Sequence, residues 1–241
     1  MKRFLIAVSA TAMAISFNAC AEARQGPDVK EADVERIIKD YLMENPEIIR
    51  DALIELELRQ DREAIEAVSS QIFNDPRDVS IGPKDAKVTV VEFFDYNCGF
   101  CKSSTQWVED LMEDYPDEVR IVFKELPILD SRSNTSRYAA KAALAAARQG
   151  KYTEVHFDLM NERSLTKERI RQIIEDTGAD MDTFDADMKD VALDRHIEDT
   201  LLLSNRIPSL TGTPFFLVNK DFVSGANTQR LDELLANALE S

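Results

Sequence analysis

Apolar positions along the chain change their period several times, and each change marks an element. Val34, Ile37, Ile38, Tyr41 and Leu42 recur at helical spacing and form one apolar face. Asn45-Pro46 interrupts it. Asn45 suits an N-cap and Pro46 a first helical position, which predicts a second helix from there. Its stripe is Ile49, Ala52, Leu53 and Leu56, then Ile65, Val68 and Ile72, with a polar run over 57–63. Asn74-Asp75-Pro76 ends it. Such a helix spans about 28 residues, roughly 40 Å. Its apolar face needs cover, either from the rest of the same chain or from other copies of it; self-association is the sharper reading. The interruption argues against a regular coiled coil.

The period then shortens. Residues 78–81 read as a short edge strand and Gly82-Pro83-Lys84-Asp85 as a turn. Val88, Val90, Val91, Phe93 and Phe94 predict a central strand over 88–94. A helix follows over 98–115 with Trp107, Val108, Leu111 and Met112 inward, then a strand over 119–126. Strand, helix, strand is a βαβ unit and implies a parallel pair. Residues 133–205 read as helix throughout, with an alanine-rich stretch from Tyr138 to Arg148 and breaks at Gly150 and Gly178. Strands return at 214–218 and 222–223 around a turn at Asn219-Lys220-Asp221, and an amphipathic helix over 231–239 closes the chain. The class is α/β, with a helical insertion between two halves of one sheet.

Composition changes this picture at two points. Hydrophobic residues make up 44% of 241, enough for a substantial core. The net charge of −16 argues against nucleic acid and anionic membrane surfaces as partners. At the N-terminus, Lys2 and Arg3 precede an apolar run from Phe4 to Phe17 that is too short to span a bilayer, with small residues at Ala19, Ala21 and Ala23. That is a secretory signal over 1–23, cleaved after Ala21 or Ala23, and it implies an exported protein. Cys20 offers a lipoprotein alternative, although Phe17-Asn18 matches the acylation pattern poorly. The expected domains are the signal at 1–23, a helical arm at 24–75 and a catalytic domain at 76–241 with its insertion over about 133–205.

The candidate chemistry sits where the central strand meets its helix. Cys98 and Cys101 of Cys98-Gly99-Phe100-Cys101 lie one turn apart on one helix face. Unpaired N–H groups and the helix dipole at that end favour a thiolate, so Cys98 reads as a nucleophile that Cys101 can pair with in a small disulfide. A zinc half-site is the competing reading, but the chain has only one further cysteine, Cys20, and two distant histidines, His156 and His196. The histidines read as structural or surface residues. No cofactor and no metal is called for. A strand feeding such a pair reads as a thioredoxin-type redox site. Thr213-Pro214 before the returning strand is the second informative point, because a proline there lacks the N–H for a ladder bond.

The stretch Val91-Glu92-Phe93-Phe94-Asp95-Tyr96-Asn97-Cys98-Gly99-Phe100-Cys101, the helical insertion and Thr211-Gly212-Thr213-Pro214-Phe215-Phe216 together resemble the DsbA-like branch of the thioredoxin superfamily. The helical arm around Asn45-Pro46-Glu47 is similar to the extension of the suppressor-of-copper-sensitivity C type. The resemblance implies a thioredoxin fold with an inserted helical subdomain and an N-terminal helical arm. It implies a periplasmic thiol–disulfide oxidoreductase working on protein substrates with thiols or disulfides and served by a membrane redox partner. Cys98 would be the attacking cysteine, Cys101 the resolving one, and Glu92 a buried acid moving the proton of Cys101. Glu92 pointing to solvent is the alternative. Thr213 and Pro214, with Gly99 and Phe100, would contact substrate, in a cis-proline loop facing the pair. Gly99-Phe100 replaces the Pro-His of the strong oxidants, so the Cys98 pKa is expected below about 8.5 but above about 3.5. A weaker thiolate makes the disulfide less oxidising, and threonine before Pro214 together with a self-associating arm leans toward isomerase or reductase work, with a dithiol oxidase or a Cu(I)-binding thiol protein as alternatives.

Overall fold

A computed structural model describes residues 30–241 of the chain. The expected signal segment, Cys20 included, lies outside the described residues. The chain divides into two compact units, one ending at Asp51 and one running Ala52–Ser241.

The first unit holds α1 (Glu31–Glu44) and the start of α2 (Glu47–Ala67). None of the α1 residues is buried, and Val34, Ile37, Ile38 and Tyr41 of its apolar face are exposed. Asn45 closes α1 where an N-cap of α2 was expected: its backbone N–H and its side-chain amide both donate to the Tyr41 carbonyl, at 3.0 and 2.8 Å. The expected single long helix is also broken. Val68 leaves helical geometry (φ −119°, ψ 11°) after donating to Ile65 three residues back, and α3 (Ser69–Phe73) continues as a separate turn.

The second unit is built on one five-stranded sheet in the order β1-β3-β2-β4-β5: β1 (Val79–Ile81), β2 (Val88–Phe94), β3 (Val119–Glu125), β4 (Phe215–Val218) and β5 (Asp221–Ser224). The predicted β2–β3 pair is parallel, and the other pairings are antiparallel. Gly82 turns the chain from β1 to β2 at φ +92°, where a Cβ would lie 2.2 Å from the Val119 carbonyl oxygen. Strand alternation divides the core in two. Val88, Val90 and Phe94 of β2 join Val119, Ile121 and Phe123 of β3 on one face. That face is covered by α4 (Gly99–Asp114), by the insertion and by α11 (Thr228–Glu240). Val91, Phe93, Val122, Phe215 and Leu217 take the other face, against Ile65, Val68 and Ile72. Thus the end of α2, with α3, packs on the sheet.

The insertion comprises α5 (Asp130–Ser133), α6 (Ser136–Ala147), α7 (Tyr152–Asn161), α8 (Lys167–Asp176), α9 (Met181–Asp187) and α10 (Val191–Ser204). Buried Ala139, Ala140, Ala142, Ala143, Ala145 and Ala146 let neighbouring helices approach α6 closely. Thr166 caps α8 by accepting from the Arg169 N–H at 3.1 Å. At the β1–β3 edge, Lys124 is buried in an ion pair with Asp78 and donates to the Gln71 carbonyl. His196 of α10 reaches the same carboxylate at 2.9 Å, tying the insertion to the sheet edge.

Candidate active site

Strand β2 aims the site. Period-two alternation puts Glu92 on the face that α4 covers, between Val90 and Phe94, and its register pairs it with Phe123 on one side and Phe216 on the other. The carboxyl group is 1% exposed, so the solvent-facing alternative does not hold. Burial, then the nearby charge of Cys98, raises its pKa to about 8.

After β2 the chain makes a tight, fully bonded approach to α4. One Asp95 carboxylate oxygen accepts the Asn97 N–H at 2.8 Å and the Ser136 hydroxyl at 2.7 Å; the other accepts the Leu129 N–H at 2.8 Å. Burial raises the Asp95 pKa. The Cys98 N–H donates to the Asp95 carbonyl at 2.9 Å, and Cys98 takes the N-cap position of α4 with φ −80° and ψ 116°. The next helical N–H groups are therefore free to face its sulfur.

Cys98 and Cys101 are free thiols and both are buried, Cys101 completely. The Cys98 pKa falls to about 5, inside the expected interval. The largest cause is the Cys101 thiol donating to the Cys98 sulfur; burial opposes it, and the Thr213 side chain and the Cys101 and Phe100 N–H groups add to the lowering. Thr213 also meets Cys98 with the opposite effect, its carbonyl accepting from the protonated thiol at 3.1 Å. Cys101 is pushed far upward by burial, by its bond to Cys98 and by the charges of Glu92 and Cys98. The two sulfurs are thus split into a thiolate and a held thiol. The Thr213–Pro214 peptide bond is cis. Phe100 is 71% exposed beside the pair. A Cβ on Gly99 would meet nothing within 4 Å.

Cys98, Cys101, Glu92, Thr213, Pro214, Gly99 and Phe100 therefore converge on one end of the sheet. Sequence reasoning assigned no role to a second polar layer on the same sheet face. Glu125, next to Phe94 in the parallel register, is buried and accepts from the Tyr96 hydroxyl at 3.1 Å and the Tyr152 hydroxyl at 2.9 Å. Burial holds its pKa well above the carboxylate range. A phenol carries one proton, so Tyr96 bonded this way accepts from His156 Nδ1, 3.1 Å away. His156 is neutral, its pKa lowered to about 3 by burial. Glu125 was detectable by strand period, since it shares the inward parity of Ile121 and Phe123. Its tyrosine and histidine partners come from remote segments with no local signal. Lys102 was also missed: its ammonium donates to the Leu159, Met160 and Glu162 carbonyls at 2.9, 3.1 and 2.8 Å and closes the end of α7.

Asp75, Asp78 and His196 are the one acid–histidine group among the described residues with metal-ligand proximity. Asp78 is engaged by Lys124 and His196, and Asp75 by Arg77, so the group is an ion-pair cluster.

Fold and site together define a thioredoxin-fold dithiol protein with an inserted helical subdomain. The chain belongs to the DsbA-like thioredoxin domain family of thiol–disulfide exchange proteins, whose model matches residues 89–239. A second model, the copper resistance protein ScsC N-terminal domain, matches residues 31–63. The chain resembles a thioredoxin-like oxidoreductase from Silicibacter pomeroyi DSS-3, with 34% identity and a TM-score of 0.64 over 71% of this chain and 98% of that one. It also resembles a linker-deletion variant of Proteus mirabilis ScsC, with 27% identity and a TM-score of 0.70 over 92% and 99%. Among curated proteins it is 35% identical over 144 residues to a Na(+)/H(+) antiporter NhaA 3 from Salinispora tropica; that match covers 59% of this chain and 22% of the antiporter. The chain spans about a fifth of the length of such curated relatives. Among the described residues no helix is long and apolar enough to cross a membrane.

Proposed function

We propose that the protein is a periplasmic thiol–disulfide isomerase or reductase acting on protein substrates. The observation that carries this reading is the split dithiol: Cys98 as a thiolate at the start of α4 facing Thr213, above a Cys101 that keeps its proton. Cys98 Sγ attacks a substrate disulfide, forming a mixed disulfide and expelling one substrate thiolate. Glu92 in its ionised form takes the Cys101 proton; with a pKa of about 8 that form is the minor one near neutrality and correspondingly basic. Cys101 then attacks Cys98 Sγ, closing the Cys98–Cys101 disulfide and releasing the second substrate thiolate. The substrate gains two electrons and the pair loses them; a membrane redox partner restores the dithiol. Where a substrate thiol resolves the mixed disulfide first, the outcome is isomerisation. The Thr213 N–H makes no hydrogen bond among the described residues, which suits it to pair with an extended substrate backbone beside Pro214. Exposed Phe100, with Gly99, supplies apolar contact.

The arm assigned to residues 24–75 is read as an oligomerisation element. Support comes from the exposed stripe Val34, Ile37, Ile38 and Tyr41 and from the N-terminal family match. Several active sites in one assembly favour rearrangement over simple oxidation. The signal reading of residues 1–23, with Cys20 acylation as its alternative, supports export.

Cu(I) held by two thiolates is the second reading, favoured by the match to a copper resistance protein's N-terminal domain. The upward push on Cys101 works against it, because both sulfurs must lose their protons to bind the metal. Refolding of scrambled ribonuclease tests the proposal. The mature protein is expected to restore ribonuclease activity, with C98A inactive and C101A trapped as a mixed disulfide. Failure to reactivate, with tight Cu(I) binding that E92Q leaves unchanged, would replace exchange by copper binding.

A further inference from the structure

Asp61 is out of place in α2. It lies one turn before Ile65, on the face that packs against the sheet, where the helix period calls for an apolar side chain. It is only 8% exposed. A carboxylate is buried at a cost unless it is hydrogen-bonded. Its partner is remote in sequence: Asp61 Oδ1 accepts the backbone N–H of Ser209 at 2.9 Å.

Ser209 belongs to the segment 205–214 that links α10 to β4 and carries Thr213 to Cys98. The segment has little internal support. Leu210 donates to Ile207 and Thr211 to Ser209, both at 3.0 Å; Pro208 and Pro214 have no N–H to give. The Ser209 hydroxyl is buried without a partner. Apart from Asn205, Arg206 and Ile207 donating back into the last turn of α10, the segment before Pro214 makes three hydrogen bonds to the rest of the protein among the described residues. Arg206 donates to the Gln71 side chain at 3.4 Å, Ser209 donates to Asp61, and the Thr213 carbonyl accepts from Cys98 at 3.1 Å. Two of the three come from α2 and α3, and the third is the reacting thiol itself.

We propose that Asp61 is a positioning residue for substrate: through Ser209 it holds the segment that presents Thr213 to an incoming strand, so α2 forms part of the substrate-binding apparatus. This rests on the exchange reading above. Asp61 touches neither sulfur, so its role is in placing a polypeptide, and it does not act on the chemistry of the pair. A small disulfide that needs no backbone pairing is indifferent to it.

The test uses the full mature protein in reduced form, with two substrates: a disulfide-containing peptide and glutathione disulfide. Asp61→Leu continues the apolar stripe, so folding is retained while the acceptor is lost. D61L is expected to raise KM for the peptide about fivefold or more, with kcat and the glutathione disulfide rate within about twofold of wild type and the melting temperature unchanged or higher. D61N, which keeps a carbonyl acceptor, is expected to restore KM. An unchanged peptide KM in D61L overturns the proposal. So does an equal loss with both substrates, which would mean a general disturbance of the site. Wild-type protein inert toward both substrates would instead overturn the exchange reading, and this inference with it.

Discussion

At the scale of single residues, the site is a set of three acids and thiols whose protons are redistributed by burial. Cys98 gives up its proton because Cys101, Thr213 and helix N–H groups donate to it; Glu92 keeps its proton because it has no such donors and lies in the core. The sign for stability follows. Glu92 binds its proton more tightly in the folded chain, at about 8 against an ordinary 4.5. Its contribution is therefore fully present below about pH 4.5 and lost as pH rises through 8. E92Q, which cannot ionise, is expected to match wild type at pH 4 and to exceed it at pH 8 by about 3 kcal/mol or more, measured by urea unfolding of the dithiol form. Equal stability at pH 8 would mean that Glu92 ionises freely. On the proposed role of Glu92 as proton acceptor, the same variant is expected to slow resolution of the mixed disulfide by Cys101, read by quenched-flow trapping.

At the scale of elements, α3 and the end of α2 behave as core although they precede the sheet in sequence. Ile72 is completely buried among Phe93, Val122 and Phe215, whereas Ile37 on α1 is exposed. I72A is expected to cost about 3 kcal/mol in denaturant unfolding, and I37A less than about 0.5 kcal/mol in the monomer. A negligible loss for I72A would detach α3 from the domain. The sheet–insertion junction has its own lock in Lys124, Asp78 and His196, a buried network whose partners lie on β3, before β1 and on α10. The helical insertion thus adds a roof over Glu125 and a clamp on the sheet edge.

At the scale of the whole molecule, the apolar stripe of α1 is exposed. The self-association reading makes a direct forecast. Replacing Ile37 and Ile38 by glutamate is expected to convert an oligomer into a monomer in light scattering and to lower isomerase activity more than simple disulfide reduction. A wild-type protein that is already monomeric removes the oligomeric isomerase and leaves a simple dithiol reductase or oxidase. Deleting residues 24–51 is the cleaner truncation, because removal through 75 would also take Ile65, Val68 and Ile72 out of the core.

Much of this was legible in the chain itself, where a local pattern carried the physics. Strand period marked β2, β3 and β4; the Cys98–Cys101 spacing put both sulfurs on one helix face; Glu92 was legible as an acid within an apolar strand. These are properties of residues a few positions apart, which backbone geometry determines without reference to the rest of the fold. Tertiary structure alone decided the remainder. The break at Val68, the use of Asn45 to end α1, the ring of Tyr96, Tyr152 and His156 around Glu125, and the bond from Asp61 to Ser209 all depend on which distant groups are brought into contact. A buried donor or acceptor must find a partner, and sequence shows the need for one without showing where in the chain it will come from.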